Sequence, residues 1–191
     1  MKSRNVILSV ALFSTLFFFY NKSAYATHDD FVVGSVETTG AARGPAIQIY
    51  DKFTRALRLT VFVLNANFTD FHVVQDVRNG GANHERILVC GRETSGANRG
   101  PAFQLFERDG TLITTRFALN TDFTSLDCDS KDLDGDGLHE ILMVGNETTG
   151  AARGWFVQIF DQAGTLQATV PLLNGDFRNS PLFIETGRGG D

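Results

Sequence analysis

The sequence predicts an all-β fold built from three tandem repeats, and two observations support this prediction. First, one motif occurs three times, as GSVETTGAARGPAIQIY from Gly34, CGRETSGANRGPAFQLF from Cys90 and VGNETTGAARGWFVQIF from Val144. Successive copies lie 56 and 54 residues apart, and such a period marks a repeat architecture whose units bury their apolar faces against one another. Second, short apolar runs alternate with Gly- and Asp-containing turns, and no stretch after the N-terminal segment keeps a helical spacing for three turns.

Each repeat contains four short runs that are typical of β-strands. In the third repeat they are Phe123–Asp127, Ile141–Val144, Trp155–Phe160 and Thr165–Leu173, rich in Phe, Val, Ile and Thr. Four strands in about 55 residues is the size of a β-propeller blade. The sequence therefore predicts β-propeller-type repeats, with about three four-stranded antiparallel blades.

Three blades are too few for a closed propeller, which usually has about 4–8. We therefore expect a homo-oligomer that completes a ring, although a piece of a larger propeller is the alternative. The strands of the unit at which the repeats begin and end favour closure of a propeller ring. The first repeat begins near Phe31 in the second strand of the unit, and the C-terminal PLFIETGRGGD aligns with the first strand of the unit. That segment is expected to complete the first blade and so cover an open sheet edge.

The N-terminus has the pattern of a secretory signal peptide. Lys2 and Arg4 precede an apolar run over residues 6–20, and Ala24-Tyr25-Ala26 offers a small-residue cleavage site. We predict a signal peptide over residues 1–26 and a three-repeat domain over residues 27–191, secreted or periplasmic, without a membrane span after cleavage. An uncleaved membrane anchor is the alternative, but the run is short for a bilayer.

The net charge and the two cysteines limit which partners and which covalent cross-links are expected. The formal net charge of −5 becomes −8 once residues 1–26 are removed, and no basic run remains, which argues against nucleic acid as a partner.

Cys90 aligns with Val144, and Cys128 aligns with Val74. We interpret both cysteines as small buried apolar side chains and favour this over a disulfide, which an oxidising compartment would permit.

One acidic loop carries the pattern of a calcium site. The segment DLDGDGLHE runs from Asp132 to Glu140 and places carboxylates at alternate positions, with glycines that allow a tight backbone. Hard oxygen ligands in such a loop suit Ca²⁺. The expected ligands are Asp132, Asp134, Asp136, the carbonyl of Leu138 and Glu140. A solvated acidic turn is the alternative interpretation.

This loop, followed by the apolar strand ILMVG from Ile141, resembles the FG-GAP or VCBS repeats that form the blades of integrin alpha-chain propellers and occur in secreted bacterial proteins. The resemblance implies Ca²⁺ at the five positions above and an adhesive role. The second repeat departs from it, since Arg78, Gly80, Ala82 and Arg86 occupy the four side-chain slots. The resemblance therefore implies one calcium ion per chain.

Three polar residues recur in every repeat and are candidates for ligand recognition. They are Glu37, Arg43 and Gln48 in the first copy, Glu93, Arg99 and Gln104 in the second, and Glu147, Arg153 and Gln158 in the third. Each set offers a carboxylate, a guanidinium and an amide to a polar ligand such as a sugar. Glu–Arg pairs that fix the turns are the commoner use of such residues. Trp155 is a further candidate if exposed, although packing at an interface is the commoner role of such a side chain.

The predicted function is a secreted calcium-binding module for an extracellular carbohydrate or protein. Triplication argues against catalysis, because an enzyme needs one reactive constellation, and it suits multivalent binding. No Ser-His-Asp set, zinc motif or nucleotide-binding loop occurs in the sequence. A repeat fragment without a specific ligand is one alternative. A secreted glycosidase, whose two carboxylates could come from distant positions, is the other.

Overall fold

The protein is all-β. The computed structural model describes residues 30–37, 44–63, 68–79, 85–94, 100–118, 123–147 and 154–172, and it contains strands and turns but no helix over these ranges. The strands are β1 (Asp30–Glu37), β2 (Gly44–Asp51), β3 (Leu57–Phe62), β4 (Phe68–Arg78), β5 (Glu85–Glu93), β6 (Gly100–Glu107), β7 (Leu112–Phe117), β8 (Phe123–Lys131), β9 (Glu140–Glu147), β10 (Gly154–Phe160) and β11 (Leu166–Leu172).

The strands form three antiparallel sheets, one for each sequence repeat. The first sheet has the order β1-β2-β3, the second β4-β5-β6-β7, and the third β8-β9-β10-β11. The four-strand unit is thus confirmed for the second and third repeats, and its last three strands for the first. No closed ring of sheets is present among the described residues. The predicted signal peptide and the closing strand of residues 181–191 lie outside them.

The described ranges contain no helix with the length and apolar character needed to cross a bilayer.

The middle sheet is buried on both faces because its strands carry apolar side chains on both sides. In β5, Ile87 and Val89 pack toward the first sheet, whereas Leu88 and Cys90 pack toward the third. All four are fully buried. Successive side chains of a strand point to opposite faces, so a near-continuous apolar run is what a strand between two layers requires.

The sheets stack in sequence order, with the first strand of each new sheet against the previous sheet. β4 contacts β1 and β2, and β8 contacts β4, β5 and β6. Between the first and second sheets the core is formed by Ile47, Ile49, Val63, Ile87, Val89 and Phe106. Between the second and third, Phe103 meets Phe160 edge to face, with ring centroids 5.1 Å apart. Over the described residues, the core therefore consists of two apolar layers between three sheets.

A disulfide bond joins the second and third sheets. Cys90 in β5 and Cys128 in β8 are bonded, with Cα atoms 6.4 Å apart. The prediction of two separate thiols was therefore wrong. Both side chains are buried, as expected. The alignment placed each cysteine correctly within its own repeat, but it carried no information about which strands of neighbouring repeats lie side by side.

Candidate metal centre

The acidic loop connects β8 to β9 at one edge of the third sheet. Two of its residues, Gly135 and Gly137, have φ angles of 82° and 86°, in the left-handed region that glycine enters without strain. The alternation of Asp and Gly therefore lets the backbone turn twice within six residues. This tight path is what brings the three aspartates together.

The carboxylates of Asp132, Asp134 and Asp136 form one cluster. One oxygen of each lies within 4.8 Å of the others, with Asp132 half-buried and the other two exposed. Asp132 accepts from the backbone N–H groups of Gly135 (2.6 Å) and Gly137 (3.0 Å). These hydrogen bonds fix the carboxylate of Asp132 at the centre of the loop.

Glu140, the fourth predicted carboxylate, lies outside the group that the three aspartates form within 4.8 Å, but its side chain contacts the same loop. Its Oε2 accepts from the backbone N–H of Leu133 at 2.7 Å, so the carboxylate reaches back over the start of the loop. Leu138 donates its N–H to Asp136 Oδ1 at 2.7 Å and forms a β-bridge with Asn79 of the second repeat. Because the loop from Asp132 to Glu140 carries no Lys or Arg, the three clustered aspartates could hold a metal ion.

The loop is anchored to the second sheet at its C-terminal end. His139 donates its backbone N–H to the carbonyl of Arg78 at 2.9 Å. Gln162, in the turn after β10, donates through Nε2 to the carbonyls of Arg78 and His139, the latter at 3.2 Å. Burial lowers the pKa of His139, and the charge of Arg78 lowers it further. The sequence pattern gave no signal for Gln162, because Lys52 and Arg108 occupy its slot in the other repeats.

The second repeat has an arginine in the slot of Glu140. The guanidinium of Arg86 forms an ion pair with Glu107 at 3.2 Å and donates to Gln162 Oε1 at 2.6 Å. A permanent cation thus lies where the third repeat has a carboxylate. Gly80 and Ala82, the neighbouring slots of this loop, lie outside the described residues. That this loop binds no metal stays a prediction.

The repeated glutamines lie within their sheets, where two of them make the same contact. Gln104 Nε2 donates to the hydroxyl of Thr115 at 3.0 Å, and Gln158 Nε2 donates to that of Thr169 at 3.3 Å. Both hydrogen bonds join the third and fourth strands of a unit. Gln48 instead accepts from the hydroxyl of Tyr50 at 2.8 Å. For Gln104 and Gln158, these contacts favour a role in holding the sheet together.

The other repeated residues are described only in part. Arg43, Arg99 and Arg153 lie outside the described residues, as does the side chain of Glu37. Glu93 is buried, whereas Glu147 is half-buried at the end of β9. The structure therefore leaves the predicted Glu–Arg pairing as a prediction. Trp155 is 3% exposed, which favours packing over ligand stacking for this ring.

Comparisons with protein-family models, with curated proteins and with solved structures gave no significant match to this chain.

Proposed function

We propose that this chain is a secreted calcium-binding repeat protein, similar to FG-GAP or VCBS proteins, that binds an extracellular carbohydrate or protein. The observation that carries the proposal is the convergence of Asp132, Asp134 and Asp136 within 4.8 Å on one exposed loop. When bound, Ca²⁺ would neutralise the repulsion among these carboxylates. Glu140 and the Leu138 carbonyl would complete the ligand set, as the loop motif suggests.

The metal would act on structure, not on bond chemistry. The carboxylate of Glu140 belongs to the first residue of β9, and the preceding residue, His139, is hydrogen-bonded to the second sheet. A cation that holds the loop closed would therefore stabilise the start of β9 and the contact between the second and third sheets. The buried Cys90–Cys128 bond supports export, since disulfides persist mainly in oxidising compartments.

Ligand binding is proposed for the turns that carry the repeated Glu and Arg. The segments that carry these residues follow β1, β5 and β9 in the sequence, once per sheet, and residues 38–43, 95–99 and 148–153 lie outside the described residues. Three similar weak sites in one molecule would gain affinity for a repetitive ligand such as a polysaccharide. Glu147 is the most informative position because its side chain is half-buried at such a turn, whereas Glu93 is buried.

Glycan-array binding of Glu147→Gln tests this proposal. Loss of a charged hydrogen bond to the ligand is expected to weaken binding about tenfold with an unchanged melting temperature. Glu93→Gln is the matched change at the buried copy and is expected to lower the melting temperature. If Glu147→Gln lowers the melting temperature and leaves glycan binding intact, the residue fixes its turn. If the parent protein binds no glycan or protein in such screens, the alternative of a repeat without a specific ligand is favoured.

We also propose that the three sheets are propeller blades and that a second copy completes the ring. Phe31 and Val33 in β1 are 39% and 41% exposed, although they occupy the slots of the fully buried Ile87 and Val89. The first sheet thus has an apolar face like the one that the second sheet buries. Light scattering of the exported chain in calcium buffer is expected to give a discrete dimer or trimer. A monomer at all concentrations would rule out completion of a ring between copies.

A further inference from the structure

The turn between β2 and β3 differs from its two counterparts at a structurally equivalent position. In the second and third repeats the turn is closed by Gly110 and Gly164, whose N–H groups donate to the carbonyls of Glu107 and Asp161. In the first repeat, Arg55 makes this bond to the carbonyl of Asp51 at 2.8 Å. Arg55 has a φ angle of 58°, and the first turn is also one residue longer. A non-glycine residue in this region is strained.

Packing explains the two glycines but not the arginine. A Cβ atom at Gly110 would lie 2.6 Å from Val61 and 2.7 Å from Leu59, both in the first sheet. A Cβ atom at Gly164 would lie 2.6 Å from Arg116 in the second sheet. These turns therefore lie against the preceding sheet. The corresponding residue of the first repeat, Arg55, is exposed at the surface.

The longer turn is well ordered by its own hydrogen bonds. Asp51 Oδ1 accepts from the N–H groups of Phe53 (3.0 Å) and Thr54 (2.7 Å). Its other carboxylate oxygen pairs with Arg58, which also reaches Asp30 at 3.1 Å. The N–H of Thr54 and the guanidinium of Arg58 hold the pKa of Asp51 well below its usual range. The carboxylate of Asp51 is therefore engaged by the backbone of its own turn and by Arg58.

The turn carries one exposed aromatic ring and two exposed cationic residues. Phe53 is 74% exposed, and Lys52 and Arg55, which flank it in the sequence, are also exposed. The Lys52 ammonium lies 5.7 Å from the centroid of the Phe53 ring. Single exposed apolar residues are common, but this one lies in the lengthened turn, two residues before an arginine of positive φ. Its two exposed cations contrast with the negative net charge of the whole chain, −5.

We propose that Lys52, Phe53 and Arg55 form a docking tip for an anionic lipid surface. Phe53 has no hydrogen-bonding edge, so transfer of its exposed ring into an apolar phase is favourable, and the two cations are attracted to a plane of negative phosphate groups. A bilayer interface offers both at once to a projecting turn. An acidic polysaccharide would attract the cations but would contact the ring by stacking on its face, which the Lys52 ammonium already overlies.

Sedimentation with phospholipid vesicles tests the docking tip. The exported chain is mixed with vesicles of phosphatidylcholine, with and without phosphatidylglycerol, in chelator and again in calcium. Binding is expected only to the anionic vesicles, and weakly, since one ring and two charges make a marginal anchor. Phe53→Ser is expected to lower the partition coefficient about tenfold. Lys52→Gln and Arg55→Gly are each expected to lower it about fivefold.

Two controls separate docking from misfolding. Arg55→Gly installs the residue used in the other repeats, so its melting temperature is expected to equal or exceed that of the parent. Phe117→Ser removes a partly exposed phenylalanine at the end of β7 and is expected to leave vesicle binding unchanged. Equal binding of the parent and Phe53→Ser, or no preference for anionic vesicles, would overturn the docking tip. So would Phe53-dependent binding to an acidic polysaccharide without vesicle binding. Measurement in chelator keeps this result independent of the proposed calcium site.

Discussion

Removal of the Cys90–Cys128 disulfide is expected to lower the free energy of unfolding by about 4 kcal/mol. The bond spans 38 residues, and closure of a loop of this length restricts the unfolded chain by about that amount in the chain-entropy account. For a domain of this size, a loss of that order corresponds to a fall of about 8–15 °C in melting temperature. Urea unfolding of the oxidised and reduced protein measures the difference.

The repeats themselves supply the matched control for this experiment. Val144 and Val74 occupy the slots of Cys90 and Cys128, so the double variant Cys90→Val, Cys128→Val keeps apolar side chains that the unit already accepts. Its stability should match that of the reduced parent and should not respond to reductant. If the reduced parent and the double variant are as stable as the oxidised parent, the link between β5 and β8 does not stabilise the fold.

Removal of calcium is expected to have the second-largest effect on the stability of the fold. An ion at a hundredfold excess over its dissociation constant stabilises the folded state by about 2.7 kcal/mol, which corresponds to about 5–10 °C in melting temperature. Thermal unfolding in millimolar calcium and in excess chelator should therefore differ by that interval. The proposed cause is the neutralisation of Asp132, Asp134 and Asp136 and the fixation of the loop before β9.

Asp134→Ala is the variant that tests whether the calcium effect on the melting temperature comes from this loop. Asp134 is exposed and, besides its proposed place in the cluster, accepts one local hydrogen bond from Asp136 N–H at 3.1 Å. Its melting temperature should equal that of the parent in chelator and should be the same with or without calcium. Asp109→Ala, in the turn between β6 and β7, is the control for an acidic turn outside the cluster and should keep the calcium response. A calcium response that survives Asp134→Ala would place the ion elsewhere.

The sequence was sufficient to predict the strands and the acidic loop. Ile141–Val144 and Trp155–Phe160 fall within β9 and β10, because turn residues bound these runs sharply. The convergence of Asp132, Asp134 and Asp136 follows from their alternate spacing and from the two glycines within residues 132–137, which is local information. These features depend on residues that are close together in the sequence, and so they can be predicted from the sequence.

Contacts between repeats were much less predictable. The pairing of Cys90 with Cys128 depends on β8 lying beside β5 in the next sheet, a fact set by the stacking of the sheets. The role of Gln162 depends likewise on the proximity of Arg78 and His139 from two sheets. Trp155 illustrates the same limit, since its burial is set by tertiary packing. The alignment of repeats compares equivalent positions, whereas these contacts join positions that are not equivalent.

Isothermal titration of the exported, calcium-free protein with Ca²⁺ tests the central claim most directly. We expect one ion to bind per chain in the parent protein and none to bind when Asp132, Asp134 and Asp136 are replaced together by Asn. Asn keeps the size of each side chain and the oxygen that caps the turn, so the loss would report on charge and ligation. No binding to the parent, or equal binding to the triple variant, would contradict the assignment of the loop from Asp132 to Glu140 as a calcium site.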